Sequence, residues 1–337
     1  MLYLSTRSKT DSFTSHRVLH ELRAPDGGCF VPFRMPDLRE HISTLKTRSF
    51  GENVAYVLGL FFATGISGWD VDCTIGKNAA HLTSMRHRVV IARLWNNPAG
   101  EYNYIVEQLY RKLTGQVGKG LGSWVKIAIR IAVLGALTGE MLKLGVEEFD
   151  VAAPAGDFSL PIAAWYGRKM GLPIHTIVCA CNENSACWDL LHLGEMDTGA
   201  SVVRTITPQL DHQNPAELER LIYGVFGVDE TLHYLKVSEA GKTYAINPFQ
   251  LTELNSGFFA CVVGQKRVEP VISNVFRTSG FILDPNTAVA YGGLQDYRAK
   301  TGESKTTLLI SDISPMHASD LVCHAAGFTK EDLKKHI

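Results

Sequence analysis

The chain has 337 residues, 45% of them hydrophobic and 20% charged, with a formal net charge of −1. That length supports a large core in one or two domains, and the even spread of apolar residues excludes extended disorder. The neutral balance excludes a sequence-independent nucleic-acid binder or a polybasic membrane-surface protein, both of which need a positive field.

In chain order, the N-terminal segment has no apolar leader core, and its polar character predicts a cytoplasmic protein. The turn Asp26-Gly27-Gly28 leads into an extended run Cys29–Pro32. Asp37 and Glu40, after Pro36, have capping-box spacing and predict a short helix. Val54, Val57, Leu58 and Phe61 share one helical face in the run 52–64. A long apolar helix is predicted over Ser123–Leu144; Lys126, Arg130 and Glu140 interrupt it, which excludes a membrane span. Alternating strands and helices follow. Phe149–Ala153 is a strand, Pro154–Phe158 a loop, and Ser159 the N-cap of a helix stopped by Gly171 and Pro173. Strands are predicted at Ile174–Ala180, Val202–Thr205 and Thr306–Ile310. Asn214-Pro215 opens a helix, and residues 229–256 form a polar excursion. Helices are predicted at Val268–Ser279, Thr287–Lys300 and Met316–Ala326.

This rhythm predicts an α/β fold with a mostly parallel sheet in three layers. Ligands in such sheets bind beyond the carboxyl ends of the strands, so the loops 154–159, 182–184, 207–212 and 311–317 are expected to meet at one crevice. The seven cysteines are scattered and form no CxxC pair, a pattern of reduced core thiols. Cys179 and Cys181 point to the same side of one strand.

Several segments resemble the threonine synthase family, within the fold-type II pyridoxal phosphate (PLP) superfamily that includes tryptophan synthase β. They are Tyr3–Arg7, Ala24–Pro32, Pro154–Phe158, Lys169–Ile174, Ala180–Asn184, Thr207–Asp211, Glu217–Leu221 and Gly280–Val289. The resemblance implies a PLP-dependent carbon–oxygen lyase of amino-acid metabolism acting on O-phosphohomoserine. It also implies an N-terminal region over 1–90 and a PLP-enzyme-like domain over 91–337. The segment 104–122 is shortened, so the family's small subdomain is reduced or missing. Cofactor contacts are implied at Ala155, Gly156, Asp157, Phe158, Ser159, Asn182 and Asn184.

The departures from the family pattern are chemical. The position of the family's Schiff-base lysine is Asn103, and a carboxamide forms no imine with an aldehyde. Lys112 is nine residues on, two and a half helical turns away and on the opposite face; Lys77 and Lys119 would serve only through a rearrangement. In the phosphate loop Asp157 replaces Asn and Ser159 replaces Gly, which sets a carboxylate where the family holds a dianion. Asp312 replaces the hydroxyl that meets the pyridine nitrogen. Asp157 and Asp312 are thus either an acid/base pair or helix caps, and His212 and His317 either proton shuttles or solvated side chains. The segment 118–122 is either an anion-binding Gly loop or a flexible shortcut.

The reading that follows is a threonine synthase-like pseudoenzyme without covalently bound cofactor. It would serve as a binding, regulatory or scaffold protein for a small amino acid or anion, and as a homo-oligomer without nucleic-acid or membrane partners. The alternatives are an active lyase or a cofactor-free enzyme in the same crevice.

Overall fold

The computed structural model describes residues 1–77, 79–95, 103–117 and 122–337. Its centre is a six-stranded sheet in the order β10-β7-β6-β11-β5-β4. The strands are β4 (His81–Met85), β5 (Val89–Arg93), β6 (Phe149–Pro154), β7 (Ile174–Cys181), β10 (Phe258–Val262) and β11 (Thr307–Ser311). All neighbours are parallel except the β4–β5 hairpin at one edge. An antiparallel sheet of β1 (Leu2–Ser5), β2 (Ser12–Thr14) and β3 (Phe30–Pro32) lies at the N-terminus, and β8 (Glu195–Asp197) pairs with β9 (Thr243–Ala245).

The period-two alternation of a strand buried on both faces sorts the core. Val151, Ala153, Ile177, Cys179, Leu308 and Ile310 face one layer, with the helices Phe50–Phe61, Trp124–Lys143 and Ser159–Lys169. Ala152, Val178, Ala180 and Leu309 face the other, with the helices Val268–Ser279, Pro285–Thr301 and Ser319–Ala326. The expected three-layer, mostly parallel α/β architecture is therefore the one observed. Between β5 and helix Trp124–Lys143, the described residues hold one helix, Tyr104–Thr114.

Helix Trp124–Lys143 is buried on nearly every side, which explains its near-continuous apolar sequence. It crosses helix Phe50–Phe61 closely. A Cβ on Gly139 would lie 2.5 Å from the Leu45 carbonyl oxygen and 2.6 Å from Asn53 Nδ2. Helix Phe50–Phe61 begins at a capping box between Ser49 and Glu52.

Several expectations are corrected. Residues 202–205 form no strand, because Val203 N–H donates to Asn184 Oδ1 and Thr205 N–H to Asp211 Oδ2 instead of to a ladder. Asn214 does not cap a helix. Its amide is engaged by Ser238 and Tyr234, and the helix opens later, at Leu218. Asp37 leads into a 3₁₀ turn, Arg39–His41, which runs on into the short helix Ile42–Leu45. The 229–256 stretch is ordered as the helices Val228–Glu239 and Pro248–Leu254 with β9 between them. The C-terminal helix begins at Ser319, after a 3₁₀ turn Pro315–Ala318, and a further helix Lys330–His336 follows. Six of the seven cysteines are buried, and Cys73 is exposed.

Candidate functional site

The carboxyl ends of β5, β6 and β11 open on a crevice of about 350 Å³. Its lining includes Asn103, Glu107, Lys126, Arg130, Asp157 and Ser159. A small apolar recess of about 20 Å³ adjoins it, shared by Asn103 and Arg130 and closed by Asp312. Four residues singled out in the sequence, Asn103, Asp157, Ser159 and His212, thus meet at the crevice, and Asp312 sits beside them. Ala155, Gly156, Phe158, Asn182 and Asn184 do not line it.

Asn103 is the N-cap residue of helix Tyr104–Thr114 and has left-handed backbone, φ 59° and ψ 30°. Asparagine tolerates this conformation better than most L-residues. Its backbone N–H donates to the Asp312 carbonyl at 3.2 Å, which ties the loop after β5 to the end of β11. Its side-chain oxygen is buried with no hydrogen-bond partner.

The loop after β6 turns through Gly156 (φ 46°) and Phe158 (φ 65°) into helix Ser159–Lys169. A Cβ on Gly156 would press on Leu210 at 3.2 Å. Phe158 is fully buried and packs on the Phe258 ring. Ser159 is not the cap expected of it. Its N–H (2.9 Å) and its hydroxyl (2.6 Å) both donate to Asp157 Oδ1. Of the two readings of Asp157, the capping one matches these bonds. The carboxylate takes up a donor at the positive end of its own helix.

Asn182 and Asn184 brace the crevice wall. Asn182 Nδ2 lies within 3.0 Å of the Thr205 and Thr207 hydroxyls and Asp211 Oδ1. Its oxygen accepts from Asn184 N–H at 2.9 Å. Asn184 Nδ2 donates to the Val203 carbonyl at 2.8 Å. These side chains hold the 203–211 segment in place.

Asp312 is no cap. Its side chain is 14% exposed and stands 3.7 Å from Arg130. Burial pushes its carboxyl up to about 6, against the opposing pull of Arg130. The nearby Asp284 carboxyl pushes it in the same direction as burial. This buried N-cap of helix Pro285–Thr301 accepts from Asn286 and Thr287 N–H and from the Ser311 hydroxyl at 3.1 Å. His212 lines the crevice.

Sequence reasoning did not assign Lys126, Arg130, Glu107 or Glu217 to the site. The signal was present, since Lys126 and Arg130 are i,i+4 on an otherwise apolar helix and so share a face. Lys126, whose side chain is 15% exposed, pairs with Glu107. Glu217 is raised by burial despite its pairing with Arg220. Lys112 points away and pairs with Asp70 at 3.5 Å. Lys77 is exposed, and Lys119 lies outside the described residues, as does most of the 118–122 segment. Among the described residues no helix is long and apolar enough to cross a membrane.

Residues 2–77 match the family model of the threonine synthase N terminus. The human protein "Threonine synthase-like 1" is 31% identical over 144 residues, 42% of this chain and 19% of that protein. The chain is similar to threonine synthases and threonine synthase-like proteins, and its N-terminal region matches their family model. Threonine synthase of Pseudomonas aeruginosa is 27% identical over 212 residues, 60% of this chain and 43% of that enzyme. Across these two relatives, then, the matched stretch spans 19% to 43% of the relative's length. Yeast threonine synthase shares the fold at a TM-score of 0.85 and 16% identity, over 99% of this chain and 93% of that one. PLP-bound threonine synthase from Brucella melitensis gives 0.80 and 18%, over 100% and 99%. The chain thus shares the fold of these threonine synthases.

Proposed function

We propose that this threonine synthase-like protein has left covalent cofactor chemistry and holds a small ligand non-covalently in the crevice between Asn103, Lys126 and Asp157. The observation that carries this reading is Asn103, a carboxamide at the head of helix Tyr104–Thr114. It offers no amine to an aldehyde. Asp157 supports the same reading. A phosphate arriving at helix Ser159–Lys169 would have to displace a carboxylate already bonded to the Ser159 N–H, and would then face its charge. On both counts the residues present do not fit pyridoxal phosphate held in the family manner.

Incubation of the purified chain with pyridoxal phosphate, followed by borohydride reduction and intact-mass measurement, tests the proposal. The expected mass is that of the unmodified chain. A pyridoxyl adduct on one lysine, or phosphate release from O-phosphohomoserine by the supplemented protein, would return the chain to the lyases.

A further inference from the structure

One buried charge in the crevice is left without hydrogen-bond partners among the described residues. Arg130 is 7% exposed and lines both the crevice and its apolar recess. Its guanidinium carries five donors. Among the described residues it makes no hydrogen bond, and its one charged neighbour, Asp312, stands at 3.7 Å, beyond hydrogen-bond range. A buried guanidinium without acceptors is costly. The free side of this one is the cavity.

A second orphan lies in the wall of the same space. The Asn103 side-chain oxygen is buried and accepts no hydrogen bond. The cavity wall therefore holds an unmet planar fork of donors and, in Asn103, an unmet acceptor. Beside them, Leu94, Val133, Leu134 and Ile310 line a recess about the size of one methyl group or one water. The complement of that surface is a carboxylate for the fork, a hydroxyl or ammonium donor for the amide oxygen, and a small apolar end.

We propose that Arg130 is the carboxylate clamp of the crevice. It binds a small carboxylate bidentately, while Asn103 Oδ1 accepts from a hydroxyl or ammonium group on the same ligand. Arginine suits this work because its fork matches the two carboxylate oxygens. The inference rests on the non-covalent reading above. Asn103 then has a task of its own as a polar contact, in a position where an amine would be the wrong partner for a donor.

Calorimetric titration of the full chain with L-lactate, L-alanine, propionate and inorganic phosphate provides the test. Lactate or alanine should bind roughly threefold to tenfold more tightly than propionate, which lacks the second donor. Whichever of the two binds more tightly identifies the donor as hydroxyl or ammonium. Arg130→Gln should weaken every carboxylate by about tenfold or more. Arg130→Lys, which keeps the charge but not the fork, should fall between. Asn103→Ala should bring lactate and alanine down to the level of propionate and leave propionate unchanged. Far-UV circular dichroism of each variant separates lost binding from lost fold. Should Arg130→Gln misfold, the Asn103→Ala comparison still decides. The clamp is overturned if no carboxylate binds, if phosphate alone binds, or if the folded Arg130→Gln protein binds as the parent does. A pyridoxyl adduct would defeat the non-covalent reading by a separate measurement, so the two failures are distinguishable.

Discussion

At the scale of single residues, backbone and chemistry agree at residue 103. A left-handed φ of 59° suits asparagine, and most other side chains would pay roughly 1 kcal/mol or more to adopt it. Asn103→Lys should therefore lower stability by about that amount in urea titration while gaining no pyridoxyl adduct, because Asp157 still holds the Ser159 N–H. Asp157 can be read in the same way. Asp157→Ala removes the acceptor from the start of helix Ser159–Lys169 and should cost about 1 kcal/mol, whereas Asp157→Asn keeps an acceptor oxygen and should cost less. Equal losses for the two variants would show that the charge, and not the cap, matters.

Asp312 gives the site its pH dependence. The groups facing it are Arg130 from helix Trp124–Lys143, Asp284 from the head of helix Pro285–Thr301 and Asp157 from the loop after β6. Its carboxyl is raised from the ordinary 3.8 to about 6, chiefly by burial. The folded protein thus keeps this proton through a range where the unfolded chain has released it. This group's contribution to stability is fullest below about 4, and it is lost as pH rises through about 6. For ligands the sign is the same. Below about 6 a neutral Asp312 leaves Arg130 unopposed, while above it the carboxylate competes with an incoming anion. Carboxylate affinity should be higher at about pH 5 than at about pH 8, and Asp312→Asn should abolish the difference. A parent protein with a flat profile would contradict this assignment.

At the scale of elements, the crevice depends on helices whose packing leaves little tolerance. Gly139→Ala would raise the intrinsic helix propensity, but its Cβ would meet the Leu45 carbonyl and the Asn53 amide. We expect a net loss of about 1–3 kcal/mol from overpacking, measured by chemical denaturation. Arg220 joins three elements. It is fully buried, donates to the Phe30 carbonyl at 3.1 Å and the Gly122 carbonyl at 2.6 Å, and pairs with Glu217. Arg220→Met would strand Glu217 and two carbonyls and should cost about 3–5 kcal/mol.

What was legible in the sequence follows from the range of the forces involved. The helices Phe50–Phe61 and Trp124–Lys143 and the strands β6, β7 and β11 carry local periodicity and local caps, so short windows suffice to find them. The 202–205 segment has strand-like residues, but its backbone is claimed by Asn184 and Asp211 side chains, partners that no local pattern displays. The same limit hid Arg130. Its spacing from Lys126 was visible, whereas its position over the end of β11 is set by how the helix packs across the sheet.

At the scale of the molecule, one core cluster runs from Tyr3 in the N-terminal sheet to Ile310 in β11. Polar contacts fasten that small sheet as well. Thr6, Arg7 and Arg23 all reach Glu219, the Arg7 pair at 3.0 Å. The sheet therefore has no independent stability to draw on, and tryptophan emission and far-UV circular dichroism should report the same unfolding transition. An early, separate step would mean that residues 1–32 detach on their own.

The distribution of sulfur gives the folded state a built-in chronometer. With Cys73 accessible and the other six cysteines enclosed, a colorimetric thiol reagent should label one group at once and the remainder only as fast as the protein opens. The slow phase would time the breathing of the core without any added probe, and a ligand that closes the crevice would be recognised by the delay it imposes.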